Sequence, residues 1–205
     1  ILESAGHKAG VMGTIGVLIG DEVTALENTT PASYEVQKHL RRMADAGCEY
    51  CVMEASSIGL KDQRVAGIPF EVGVFTNFSE DHIGGVEHRD MQEYLESKAK
   101  LFSMCKTGVV NLDDDNVEGI LKGHTCKVKT YGFGQAAQLR GADCRHLTRP
   151  GFLGIAFEVA GELAFTAEVG IPGRFNAYNA LAAVLRALGD SKSPLYFLII
   201  SALLN

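Results

Sequence analysis

The most constraining feature of this chain is an apolar run, Val72-Gly73-Val74-Phe75, that breaks off into the polar stretch Thr76-Asn77-Phe78-Ser79-Glu80-Asp81-His82. A run this short and this apolar reads as a buried strand. A helix then starts near Asp90, with Met91, Tyr94, Leu95, Lys98 and Phe102 on roughly one face. The alternation recurs along the chain. Residues 32–46, 90–104 and 116–122 read as helices, and 49–53, 72–75, 109–112 and 127–131 as strands. Such strand–helix alternation predicts an α/β fold with a mostly parallel sheet and helices on both faces. In open sheets of that kind, ligands bind at loops leaving the carboxyl ends of the strands.

The flanking segments extend this picture. Residues 1–6 read as a helix end capped by Gly6, residues 8–15 as a strand, and 17–23 as a hairpin turning on Gly20-Asp21. For the helix at 32–46, Pro31 suits the first position, Thr30 is available as a cap, Gly47 is the stop, and Val36, Leu40, Met43 and Ala44 form the buried stripe. The pattern changes after about Gln138. Residues 152–159 and 163–169 alternate around Ala160-Gly161, which predicts a small antiparallel hairpin, and a last helix spans 175–188. The tail 190–205 is anomalous, too apolar to lie exposed and too short to span a membrane, and it reads as a truncation or reading-frame artefact.

At 205 residues the chain is one domain or one and a fraction. A formal net charge of −6 leaves no basic footprint for nucleic acid or an anionic membrane. Five cysteines, an odd count with no scaffold density, suit a reducing cytoplasm, and Cys48-Glu49-Tyr50-Cys51 lacks a second ligand pair and reads as core. No signal peptide opens the sequence.

Several residues allow chemistry while also having plain readings. Glu54, ending a strand, is either a ligand-edge carboxylate or an acid facing water. His82 after an acid is by itself a solvated or hydrogen-bonded histidine, and Lys98 a surface lysine near Glu93 and Tyr94. Ser56 reads as a turn, Arg64 as a surface charge, and Asn176 as a helix cap. No G-x-S-x-G elbow makes Ser56 a nucleophile. Asp113-Asp114-Asp115 reads as a turn and helix start rather than a metal site.

Four motifs in order alter those odds: Asn28-Thr29-Thr30-Pro31, Met53-Glu54-Ala55-Ser56-Ser57, Thr76-Asn77 through Asp81-His82 with the helix of Lys98, and Gly173-Arg174-Phe175-Asn176-Ala177-Tyr178-Asn179. Together they resemble the Mur ligase family, ATP-dependent amide-bond ligases of cell wall precursor synthesis. Within it they are closest to the MurE type, which extends UDP-N-acetylmuramoyl-L-alanyl-D-glutamate by a third amino acid. The resemblance implies a P-loop NTPase-like central ATPase domain, incomplete over 1–205, without its phosphate loop and without the amino-terminal UDP-binding and carboxyl-terminal domains. It implies that Glu54 and His82 hold magnesium ions, and that Lys98, not Lys100, is carbamylated as an anionic donor near the metal. It assigns Asn28, Thr29, Thr30, Ser56 and Arg64 to the UDP-N-acetylmuramoyl-dipeptide, and Asn77, Asn176 and Asn179 to ATP. The implied protein is a monomeric cytoplasmic enzyme that is inactive as this segment alone. It contacts neither nucleic acid nor membrane, and its third amino acid is unspecified.

The chain departs from the family in two respects. No G-x-x-x-x-G-K-[ST] occurs in it, and Gly84-Gly85-Val86-Glu87-His88 stands where many members have D-Y-H-G. The rival readings are another ligase of the superfamily, such as a folylpolyglutamate synthetase, and a non-catalytic fragment.

Overall fold

A computed structural model describes residues 2–79, 87–187 and 196–201 of the chain. Three short strands open it, β1 (Ala9–Gly13), β2 (Gly16–Ile19) and β3 (Glu22–Thr24), followed by helix α1 (Ser33–Asp45). Then come β4 (Tyr50–Met53), α2 (Ser57–Lys61), β5 (Phe70–Phe75), α3 (Met91–Ala99), α4 (Leu101–Met104), β6 (Cys105–Asn111), α5 (Val117–Ile120) and β7 (Lys127–Gly132). The chain continues through β8 (Leu139–Arg149), β9 (Phe152–Gly161), β10 (Phe165–Val169), α6 (Arg174–Ala187) and β11 (Tyr196–Ser201). All strands join one sheet, ordered β10-β9-β8-β7-β6-β5-β11-β4-β1-β2-β3.

Its centre is parallel, from β1 through β4, β11, β5, β6 and β7 to β8, and both margins are antiparallel. The expected α/β class therefore holds, with helices on both faces. One face packs Val36, Leu40, Met43, Leu60, Leu101, Phe102 and Ile120 of α1, α2, α4 and α5 against Phe70 and Phe75. The other packs Ala177, Leu181 and Leu185 of α6 against Val72, Val74, Tyr131 and Leu139. Strand β5 thus serves both cores, as an apolar run without alternation must.

The helix expected over 90–104 is two pieces. Asp90 caps α3 by accepting the Glu93 N–H at 2.8 Å, and α4 follows directly into β6. The helix lies close on the sheet because paired Gly73 and Gly108 make room for it. A methyl at Gly73 would come within 3.0 Å of the Leu101 side chain, and one at Gly108 within 2.7 Å of Phe102. The end of the lysine-bearing helix is thereby seated on β5 and β6.

Three expectations need correction. Strand β8 has no precedent in the sequence reading, because its charged residues interrupt any alternation and a register shift between Ala142 and Arg145 breaks the period. Asp143 in that bulge takes φ 48°. Thr30 does not cap α1, whose N-cap Ala32 has no side-chain bond. His39 joins the buried stripe of α1, and Ala44 is only partly buried. The apolar tail contains β11, paired in parallel with both β4 and β5.

Candidate active site at the carboxyl edge of the sheet

Glu54 follows β4 directly, so the strand delivers its half-buried carboxylate to the carboxyl edge of the sheet. It does not simply face water. Oε2 accepts the backbone N–H of Thr14 at 2.8 Å and the Thr14 hydroxyl at 2.7 Å. Thr14 in turn lies 3.1 Å, oxygen to oxygen, from Thr29. A second strap runs behind. The Thr30 hydroxyl donates to the Glu54 carbonyl at 2.9 Å and accepts the Ser56 N–H at 2.9 Å. Thr30 is fully buried, and its hydroxyl, by donating one bond and accepting another, joins the 28–31 segment to the end of β4.

Ser56 caps α2, accepting the Gly59 N–H at 3.1 Å, so its turn reading holds. Arg64 is not a loose surface charge. It donates to the Thr30 carbonyl at 3.0 Å and to Asp62 at 2.9 Å. Thr29, Thr30, Ser56 and Arg64 thus form one connected group around Glu54. Asn28 is exposed and lines a neighbouring cavity of about 390 Å³ with Lys38, His39 and Arg42.

Lys98 is buried, 4% exposed, with Nζ 4.8 Å from the centre of the Tyr94 ring one turn back. Lys100 is exposed, so only one of the two lysines enters the interior. The Tyr94 ring packs at a tilt against those of Phe78 and His88, with ring centres 4.8 and 5.1 Å away. His88 Nε2 sits 2.8 Å from Ser57 Oγ, which closes a contact path from the Glu54-Ser56 edge to the lysine helix. Burial, with Lys61 nearby, lowers the His88 pKa below the usual histidine value. Glu93 binds the Arg89 N–H and Lys61, and these contacts pull its carboxyl down to about 2.

Across β5, β6 and β7 the edge is tied by residues the sequence did not single out. Asn111 Nδ2 donates to the Thr76 carbonyl at 2.9 Å, and the buried Tyr131 hydroxyl donates to the Phe75 carbonyl at 3.0 Å. The Asp triplet is a turn, as expected. Asp114 accepts from the Asn116 and Phe78 N–H groups, and Asp113 from the Phe133 and Gly134 N–H groups and the Tyr178 hydroxyl. The only signal of that role was a strand end followed by acids. Asn77 is exposed beside this crest. Asn176 does not cap α6. It donates from the first turn to the Pro172 carbonyl at 2.8 Å, and Asn179 leans on it at 3.4 Å.

His82 lies outside the described residues. Among the described residues no group of three or more His, Cys, Asp or Glu side chains could hold a metal ion. The donor at hand is nonetheless of the right kind for magnesium. Glu54 Oε1 makes no hydrogen bond among the described residues, and a hard oxygen on a pinned carboxylate suits an ion that keeps waters and phosphate oxygens as its other ligands.

Comparison with known proteins gives this edge its context. Residues 1–187 match the model of the Mur ligase middle domain. The chain belongs to the Mur ligase family. It is 38% identical over 193 residues to the UDP-N-acetylmuramoyl-L-alanyl-D-glutamate–2,6-diaminopimelate ligase of Clostridium tetani, covering 94% of this chain and 39% of that protein. The ligase of the same name from Geobacter metallireducens is 34% identical over 203 residues, covering 95% and 39%. A solved structure of a ligase of that name superposes with a TM-score of 0.81 at 30% identity, over 91% of this chain and 38% of the other. The folylpolyglutamate synthetase of Lactobacillus casei, at 15% identity and TM-score 0.59, shares the fold. This Mur ligase segment therefore spans about two fifths of the length of the curated relatives it matches.

Proposed function

We propose that this Mur ligase domain is the ATP-consuming part of an enzyme that joins a third amino acid to UDP-N-acetylmuramoyl-L-alanyl-D-glutamate. The relatives' names specify 2,6-diaminopimelate as that amino acid. The terminal glutamyl carboxylate attacks the γ-phosphorus of ATP and expels ADP. The amine of the incoming amino acid then attacks the acyl phosphate, forming the amide and releasing phosphate. Positioning and charge neutralisation carry most of such a reaction. A magnesium ion, when bound, would neutralise phosphate oxygens, and Glu54, His82 and a carbamylated Lys98 are the residues assigned to hold the metals. Asn28, Thr29, Thr30, Ser56 and Arg64 are assigned to the muramoyl dipeptide, and Asn77, Asn176 and Asn179 to the nucleotide.

The observation that carries this reading is the Thr30 strap, which joins the 28–31 segment to Glu54 and Ser56 at one sheet edge. A substrate segment and a metal-binding acid need that proximity if a carboxylate is to meet a γ-phosphate. Five free thiols suit a cytoplasmic setting, and among the described residues no helix is long and apolar enough to cross a membrane.

The test is a chimera in which this segment replaces its counterpart in the Clostridium tetani ligase. Release of ADP that depends on both the dipeptide substrate and diaminopimelate supports the reading. A folded chimera that consumes ATP with another acid substrate, such as a folate, overturns it in favour of the folylpolyglutamate class.

A further inference from the structure

Thr14 carries no assigned role, yet it is the residue that holds Glu54. Its hydroxyl has one proton, directed to Glu54 Oε2 at 2.7 Å, and its backbone N–H reaches the same oxygen at 2.8 Å. Towards Thr29, 3.1 Å away, the Thr14 hydroxyl can then act only as an acceptor. The chain of protons therefore runs from Thr29 O–H to Thr14 Oγ1, and from Thr14 O–H to Glu54 Oε2. With its proton committed inward, Thr29 can offer an outside group only lone pairs.

Gly13 completes the arrangement from the other side. A methyl group at Gly13 would stand 2.6 Å from the Glu54 carboxyl carbon and 2.8 Å from Oε2. The carboxylate is thus bonded twice on one oxygen, packed against bare backbone, and left with Oε1 unbonded among the described residues. Two donors on one oxygen fix the direction in which the other oxygen points.

We propose that Thr14 is a positioning residue that locks the Glu54 carboxylate with Oε1 presented to a divalent cation. This rests on the reading of Glu54 as a metal-binding acid. The relation is that of an outer hydrogen bond that orients a metal ligand, whose loss commonly weakens metal binding without unfolding the protein. It also couples the metal edge to the β1–β2 turn and, through Thr29, to the substrate segment.

The experiment is a Mn2+ titration, with ATP present, of the chimera that carries this segment, reading paramagnetic broadening of 13C-labelled glutamate carboxyl signals. Thr14→Val removes the hydroxyl and keeps the shape, and should raise the Mn2+ midpoint at Glu54 roughly tenfold, while Thr14→Ser should stay within about twofold of the parent. A Thr14→Val midpoint equal to the parent's overturns the positioning role and leaves Glu54 as a ligand. A loss in Thr14→Ser as large as that in Thr14→Val also overturns it, since serine keeps the hydroxyl that makes the bond to Glu54. Absence of broadening at Glu54 in the parent overturns the metal reading itself, and the inference with it.

Discussion

His88 Nε2 lies 2.8 Å from Ser57 Oγ, and both residues are buried. This bond joins the first residue of α2, which follows Ser56, to the segment leading into the helix of Lys98. Lys61 repeats the link further along α2, reaching Glu93 and the Glu87 carbonyl. Two side-chain links therefore tie α2 to α3 and the residues that lead into it.

The link can be measured by a double-mutant cycle. His88→Ala should cost about 2–4 kcal/mol, from the cavity and the stranded Ser57 hydroxyl. Ser57→Ala should cost about 1 kcal/mol. A coupling energy of at least about 0.5 kcal/mol from denaturant melts is expected, and strict additivity would contradict the bond.

Glu93 makes that clasp sensitive to acid. Its folded pKa is depressed from 4.5 to about 2, chiefly by the Arg89 N–H, so its contribution is present above 4.5 and is lost as pH falls towards 2. Melting midpoints followed from pH 5 down to pH 2, roughly the range in which carboxylates titrate, should therefore fall less steeply in Glu93→Gln than in the parent. Parallel curves would show that Glu93 carries none of the acid sensitivity.

The two lysines should separate cleanly. Lys98 is buried and Lys100 exposed, so 13C-bicarbonate should produce a carbamate carbon signal that Lys98→Ala removes and Lys100→Ala keeps. In the chimera, Lys98→Ala should lower ligation at least about a hundredfold, as loss of a charge-stabilising group at a phosphoryl-transfer site does. A signal surviving in Lys98→Ala would place the carbamate elsewhere.

Asp113 holds the crest of β6 and β7 by three donors. Asp113→Ala should cost about 1–2 kcal/mol, and Tyr178→Phe less than about 1 kcal/mol, because that change removes only one partner. Equal denaturation midpoints for parent and Asp113→Ala would show that the crest needs no such tie.

Much of the architecture was legible because its signals are local. The apolar run ending at Phe75, the helix start near Asp90 and the Gly47 stop each depend on neighbours within a few residues, and β5, α3 and α1 follow from them. Strand β8 was not legible, because its polar, bulged sequence carries no period and its membership comes from pairing with β7 and β9. The motifs marked Glu54, Lys98 and the 28–31 segment. They did not show that Thr30 is a strap rather than a cap, that Asn176 serves a loop carbonyl, or that Thr14 matters at all.

By itself, then, the sequence determined the alternation of elements, the parallel centre of the sheet and the family, since periodicity and motif order are properties of the chain read in line. The tertiary structure decided which polar groups satisfy one another. Thr14 and Glu54 are 40 residues apart, His88 and Ser57 31, and Tyr178 and Asp113 65. A side-chain donor has no period and no fixed partner distance along the chain, so only folding, which brings strand ends to one edge and removes competing water, selects its acceptor.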